Sequence, residues 1–244
     1  MPALIPNVSV DCVIFGFHED SLSVLLTKRV LEDPRTGKLI FSDYTLAGHH
    51  VQEGENPNQA AARILREKTG LKKIHLEQFH TFGDTDRLDK EKDWLWVHLR
   101  FPQVPRHVFS IAYYSLVDDQ KIKPDKKHPD ATWFPVKALP ALGFDHARMI
   151  DMAWQHLQHR LRREPIGFEL LPEKFTIAQL QKLYETILDT SFDKRNFRKK
   201  VTQMTYVVPT REKLKGKPHK PAQMYFFSRE VYEKTRTDKQ HFAV

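Results

Sequence analysis

Residues 48–71, GHHVQEGENPNQAAARILREKTGL, gather carboxylates, cations and histidines around one predicted helix. Asn56 is placed to accept hydrogen bonds from free helix N–H groups, and Pro57 suits the first helical position. Gln59 completes a capping-box-like pair, and Gly70 supplies the stop. Positions 64, 67 and 68 are spaced i, i+3, i+4 and share one helix face. Three carboxylates there would converge where Mg²⁺, which takes near-octahedral oxygen ligation, could be held. The residues present are Ile64, Glu67 and Lys68. Lys68 sets an ammonium where the cation would have to sit, and Glu67 is expected to pair with it. A plain amphipathic helix with Ala61 and Leu65 turned inward fits the same pattern.

A second concentration of chemistry lies near the other end. Residues 172–244 hold 16 Lys and Arg against 8 Asp and Glu, whereas residues 1–171 hold 23 of each. The whole excess of +8 therefore belongs to the C-terminal third, which points to a polyanionic partner. Thr176 and Gln179 form a capping box, with Phe175 and Leu180 as its staple, before an apolar face of Leu183, Tyr184, Ile187 and Leu188. Asp189–Ser191 turns. A second helix opens at Asp193, with Phe192 and Phe197 bracketing the cap. Phe197, Val201 and Met204 take one side, and at ~100° per residue Arg195, Arg198, Lys199 and Thr202 take the other.

Two short helices joined by a tight turn, the second basic outside, make a helix-turn-helix. Arg195 or Arg198 would fork onto a guanine edge, with Lys199 and Lys200 on phosphates. Lys194, Asn196 and Gln203 complete the candidate reading face. Strands predicted at 205–208 and 223–227 bracket Arg211, Lys213, Lys215, Lys217 and Lys220, the shape of a basic wing along the backbone. A merely solvated basic face is the competing account.

These elements need a body to carry them. The 244 residues suffice for two domains, and the 40% apolar content suits a globular chain. No apolar run reaches the ~20 residues that span a bilayer, so no membrane partner is expected. The start has no basic n-region and runs into strand-like sequence, which predicts no secretory leader. A single cysteine, Cys12, excludes an internal disulfide, reads as a buried structural thiol and favours a reducing, cytoplasmic setting. No Cys/His spacing suggests zinc, and no cofactor is expected.

Strands are predicted at 8–17, 22–29, 74–82, 107–117 and 132–136, with a loop over 30–43. A helix from Asp145 to about Arg163, capped by the Asp145 carboxylate, carries an apolar seam of Ile150, Trp154, Leu157 and Leu161. That seam is expected in the core, with a second subunit as the alternative. Strand pairs mixed with helices favour an α/β sandwich over a regular βαβ array.

On Gly48, Glu55, Arg63, Leu65, Glu67, Gly70 and Leu71 the chain resembles the Nudix hydrolase box. It departs where His49 replaces the box glycine and where Ile64 and Lys68 replace the first and last Glu of its trio. With the basic segment, the chain resembles Nudix-related transcriptional regulators, closest to the arabinose-responsive type of Bacteroidetes. That likeness rests on DCVIFGF (11–17), SIAYY (110–114), LPAL (139–142), FDH (144–146), EPIGF (164–168), LP (171–172) and DKRNFRKK (193–200). His49-His50 stand where the family has a small or apolar pair, and residues 88–105 look inserted. Trp94 and Trp96 in that insertion would either line an enlarged pocket or pack it onto the body.

The resemblance implies an α+β chain, an N-terminal Nudix α/β/α sandwich (1–164) followed by a C-terminal winged helix-turn-helix domain (165–244). It further implies a homodimer on a double-stranded DNA operator, with a sugar or ADP-ribose-like effector in a non-catalytic Nudix pocket. Lys28, His49, Glu67, Asp84, Asp86 and Arg87 are the effector-site candidates, placed by their nearness to the box. The expected role is regulation of sugar catabolism without enzymatic activity. The alternative is a Nudix hydrolase acting on ADP-ribose or a related nucleoside diphosphate derivative.

Overall fold

The computed structural model describes residues 3–18, 20–33, 35–70, 74–118, 130–214 and 221–235. They divide into two compact units, one ending at Ala153 and the other running from Trp154 onward with the segment Phe17–Leu22.

The first unit is built on β1 (Leu4–His18), β2 (Ser21–Glu32), β3 (Leu39–Thr45), β4 (Ala47–Gln52), β5 (Glu77–Phe82), β6 (Phe109–Val117) and β7 (Ala131–Pro135). They form one sheet in the order β3-β2-β1-β6-β5, with β4 on β1 and β7 on β2. β1 runs parallel to β6 and antiparallel to β4. Alternation along β1 separates two chemistries. Val10, Cys12 and Ile14 join a buried cluster with Ala61, Ile64 and Leu65 of α1 (Pro57–Thr69). Asp11, between them, meets Ser110 of β6, a buried carboxylate receiving the Ser110 hydroxyl. Cys12 is fully buried, its thiol directed at the Ala61 carbonyl 4.0 Å away, and burial together with Asp11 pushes that thiol up.

Both ends of α1 follow from sequence. Asn56 accepts the Gln59 N–H at 3.0 Å while the Gln59 side chain accepts the Asn56 N–H at 2.8 Å. Gly70 ends the helix at φ 74°, a conformation that favours glycine.

Two expectations need correcting here, and one segment gains an element. Residues 30–43 are not a loop, because β2 continues to Glu32 and β3 begins at Leu39. The turn is confined to the residues between: Asp33 Oδ1 accepts the N–H groups of Arg35 and Thr36, and Gly37 sits at φ 66°. The apparent insertion contains a helix, α2 (Glu91–Arg100). The Asp145 carboxylate, expected to cap α3 (His146–Leu161), receives Arg87 on both oxygens instead, at 2.8 and 3.0 Å. The seam itself is filled within this chain. Ile150, Leu157 and Leu161 are fully buried, and the Trp154 indole N–H donates to the Ile187 carbonyl at 3.1 Å.

α2 is held by charge as well as by Val97. Arg29 forks onto Asp43 with two bonds of 2.7 Å and reaches Asp93 of α2 at 2.5 Å. Asp93, fully buried, also accepts the Phe144 N–H at 2.8 Å. The guanidinium lies against the rings of Phe41, Trp96 and Phe144 at 4.6–5.3 Å. Trp94 stacks on His98 and lies under Arg106.

In the second unit, α4 (Ile177–Leu188) and α5 (Lys194–Gln203) are followed by the hairpin of β8 (Val207–Leu214) and β9 (Ala222–Phe227), then α6 (Arg229–Thr235). β8 starts two residues later than expected and ends six residues later, and α6 has no counterpart among the expected elements. The Thr176–Gln179 capping box is present. Asp189 closes α4 in the left-handed region at φ 52°. Glu185 then latches the turn, accepting the Phe192 N–H and the Gln181 amide, both at 2.9 Å. These bonds hold its carboxylate below the usual range.

Candidate ligand pocket and nucleic-acid interface

One pocket opens beside the Asp11 face of the sheet. β1 supplies Ser9 and Asp11, β4 supplies Gly48, His49 and His50, and α2 supplies Val97, with Phe101 just past its end. Arg87, Phe144 and His146 complete its polar and aromatic lining. The register explains the meeting, since Asp11 pairs with Gly48 and Val10 with His49. A Cβ at Gly48 would run into the Asp11 carboxylate, so the absence of a side chain there makes room for the acid.

The electrostatics of this pocket centre on Asp11. Burial alone would raise its pKa, yet His146, Arg87 and Ser110 outweigh burial and bring it down to about 2. His146 accepts the Leu46 N–H on Nδ1 at 3.0 Å, which leaves Nε2 facing Asp11 at 3.4 Å. Arg87 is fixed by Asp145 and by the Val108 carbonyl at 3.0 Å. Burial holds His49 below its ordinary value and takes His50 down to about 4.

Of the six effector candidates, His49 and Arg87 line this pocket, and Lys28, Glu67, Asp84 and Asp86 do not. Asp84 pairs with Arg148, while Lys28 and Asp86 are exposed. Glu67 is on the solvent side of α1 and pairs with Arg63 at 3.2 Å, not with Lys68 as expected. Arg63 bridges further, binding Glu55 at 2.6 Å and the His50 carbonyl at 3.0 Å. Residues 64, 67 and 68 do not converge: Ile64 is fully buried in the core, while Glu67 is exposed. Among the described residues no group of three or more His, Cys, Asp or Glu is placed to hold a metal ion. The trio at 64, 67 and 68 therefore offers Mg²⁺ no converging set of carboxylates.

Asp11, Ser9, His50 and His146 were missed as site residues. A signal existed, because a carboxylate in the middle of the apolar run 8–17 must be paired or functional. Trp94 and Trp96 are absent from the lining, and the α2 segment reaches the pocket through Val97 and Phe101 instead.

The second candidate surface is α5. Phe197 and Val201 are buried, with Phe192 against Phe197 at 5.5 Å. Lys194, Arg195, Asn196, Arg198, Lys199, Lys200 and Gln203 are all exposed. On β8, Arg211 and Lys213 are exposed, and Glu212 pairs with Lys174 at 2.6 Å. Lys215, Lys217 and Lys220 lie outside the described residues.

Comparison with known proteins bears on both surfaces. The family model of the NUDIX domain matches residues 5–153, and that of the NrtR DNA-binding winged helix domain matches residues 167–227. The chain is 27% identical over 234 residues to the ADPR responsive transcriptional repressor NtrR of Acinetobacter baylyi, covering 93% of this chain and 84% of that protein. It is 30% identical over 154 residues to an ADP-ribose pyrophosphatase of Methanocaldococcus jannaschii, covering 62% of this chain and 76% of that one. The crystal structure of Shewanella oneidensis NrtR complexed with a 27mer DNA matches with a TM-score of 0.70 at 25% identity, over 90% of this chain and 93% of that one.

Proposed function

The chain belongs to the Nudix family, its Nudix domain followed by a winged helix domain, and from that premise we propose that it is a ligand-responsive, DNA-binding transcriptional regulator whose Nudix domain senses rather than hydrolyses. The observation that carries this reading is α5: a capped helix, packed by Phe197 and Val201, that turns six polar or basic side chains from Lys194 to Lys200 to solvent. Such a helix, latched to α4 through Glu185 and followed by a two-stranded wing, has the parts that seat a helix in the major groove. Arg195, Asn196, Arg198 and Gln203 are assigned to base edges. Lys194, Lys199, Lys200, Arg211, Lys213, Lys215, Lys217 and Lys220 are assigned to phosphates.

Absence of catalysis is argued from α1. Metal-assisted phosphoryl chemistry depends on charge placed at the metal, and here Ile64 is core while Glu55 and Glu67 both serve Arg63. The effector is assigned to the Asp11 pocket. Its first reading is an ADP-ribose-like molecule, supported by the relatives named for ADP-ribose. A free pentose, with control of sugar catabolism, is the second reading, favoured by the aromatic and hydrogen-bonding walls that Phe101, Phe144 and Asp11 give the pocket. The chain is proposed to act in the cytoplasm as a homodimer on a two-fold operator, with half-sites roughly one helical turn apart.

Fluorescence anisotropy of the full chain on selected duplexes tests this. Selection from random DNA must yield a two-fold motif, and ADP-ribose or a pentose must change its affinity. Binding that is indifferent to sequence overturns the regulator reading. Mg²⁺-dependent release of AMP from ADP-ribose restores the hydrolase.

A further inference from the structure

His50 is more than nine-tenths buried, yet neither ring nitrogen has a hydrogen-bond partner. His50 is one of the residues that line the pocket just described, its ring beside Phe101 at 5.3 Å between centroids. A buried polar group left unsatisfied is costly, and in native structures each such group calls for a reason. A neutral imidazole carries one donor and one acceptor, a combination that suits hydroxyls, which both give and take hydrogen bonds. The surroundings select against an anion. Asp11 contributes a carboxylate, and Arg87, the one Lys or Arg among the lining residues, is already forked onto Asp145. Phe101 and Phe144 offer apolar faces to the carbon side of a ring.

We propose that His50 is the residue that sets which ligand this pocket accepts, giving one hydrogen bond to, and taking another from, hydroxyls of an uncharged, polyhydroxylated ring. The inference rests on the effector reading of the pocket and assigns its chamber to a glycosyl group, whether free or as the end of a larger molecule. Any phosphate of that molecule lies outside the chamber.

Isothermal titration of the full-length protein with ADP-ribose, D-ribose and inorganic pyrophosphate provides the test, using His50→Phe and His50→Gln. His50→Phe keeps a ring and loses both bonds, and is expected to weaken the sugar-bearing probe by roughly ten- to a hundredfold. His50→Gln keeps a donor and an acceptor and is expected to stay within a few-fold of wild type. Long-range ¹H–¹⁵N spectra of the wild-type imidazoles read the same contact without substitution, and the His50 nitrogens must shift when ADP-ribose is added. Equal affinity in wild type and His50→Phe, or unmoved His50 nitrogens, removes His50 from its role and leaves the sensor reading standing. Pyrophosphate binding more tightly than D-ribose overturns the ligand class. A wild-type protein that binds none of the three removes the sensor reading and this one together.

Discussion

At the scale of single residues, the pocket is shaped by one missing side chain and one displaced proton. Gly48→Ala would push a methyl group into the Asp11 carboxylate, so a loss of about 1–3 kcal/mol in urea unfolding is expected, with ligand binding weakened in parallel. His50 supplies a pH signature. Its folded pKa of about 4 lies below the ordinary 6.5, because burial and then His49 disfavour the cation. Between those values the unfolded chain binds more protons than the folded one, so stability is complete above pH ~6.5 and falls as pH drops toward 4. Thermal melts from pH 7.5 to 4 should show that slope, and His50→Phe should flatten it. An unchanged slope in the variant would assign the titration elsewhere. Asp11 acts lower down: with its pKa at about 2 against 3.8, its contribution is present above pH ~4 and is lost as pH falls through 2.

At the scale of elements, α2 depends on an ion pair more than on its own sequence. It has no side-chain N-cap bond, and Asp93 anchors it to Arg29 and to the Phe144 N–H. Asp93→Ala would leave the buried guanidinium, whose Nη1 already lacks a partner, on Asp43 alone and the Phe144 N–H unpaired, and a cost of about 1–3 kcal/mol is expected in chemical denaturation. Hydrogen exchange over 91–100 should report the loosening first. That helix also shows where sequence reading stopped. α1, α4 and α5 were legible because each carries its own punctuation: Asn56 with Gln59, Thr176 with Gln179, and Asp193 with its flanking phenylalanines. α2 is preceded by Lys90, which offers no cap signal, and its partners Arg29, Asp43 and Phe144 all lie more than 40 positions away from it. The same distance hid Asp11, Ser110 and His146, which meet through the parallel pairing of β1 and β6 and the placing of the first residue of α3 beside Asp11. His49 and Arg87 were found because they flank the Nudix-like box, and Glu67 was misplaced because a shared helix face does not fix which neighbour a carboxylate chooses.

At the scale of the whole molecule, charge and chemistry are separated along the chain. Residues 1–171 are electrically balanced, and residues 172–244 carry the net +8. Association with duplex DNA should therefore weaken steeply with salt, with a log–log slope near −0.9 per neutralised phosphate. Lys199→Ala should lower affinity across all sequences and reduce that slope by about 1, whereas Arg198→Ala should relax sequence preference. An Arg198→Ala protein that keeps its preference would place base recognition elsewhere. Cys12, neighbour to the pocket acid and sealed against α1, has a practical corollary. A thiol reagent cannot reach the only sulfhydryl until the central strand parts from its helix, so alkylation under native conditions becomes a clock for that opening. Saturating the pocket should slow the clock, and the retardation would rank candidate metabolites on unlabelled protein, with no operator in the tube.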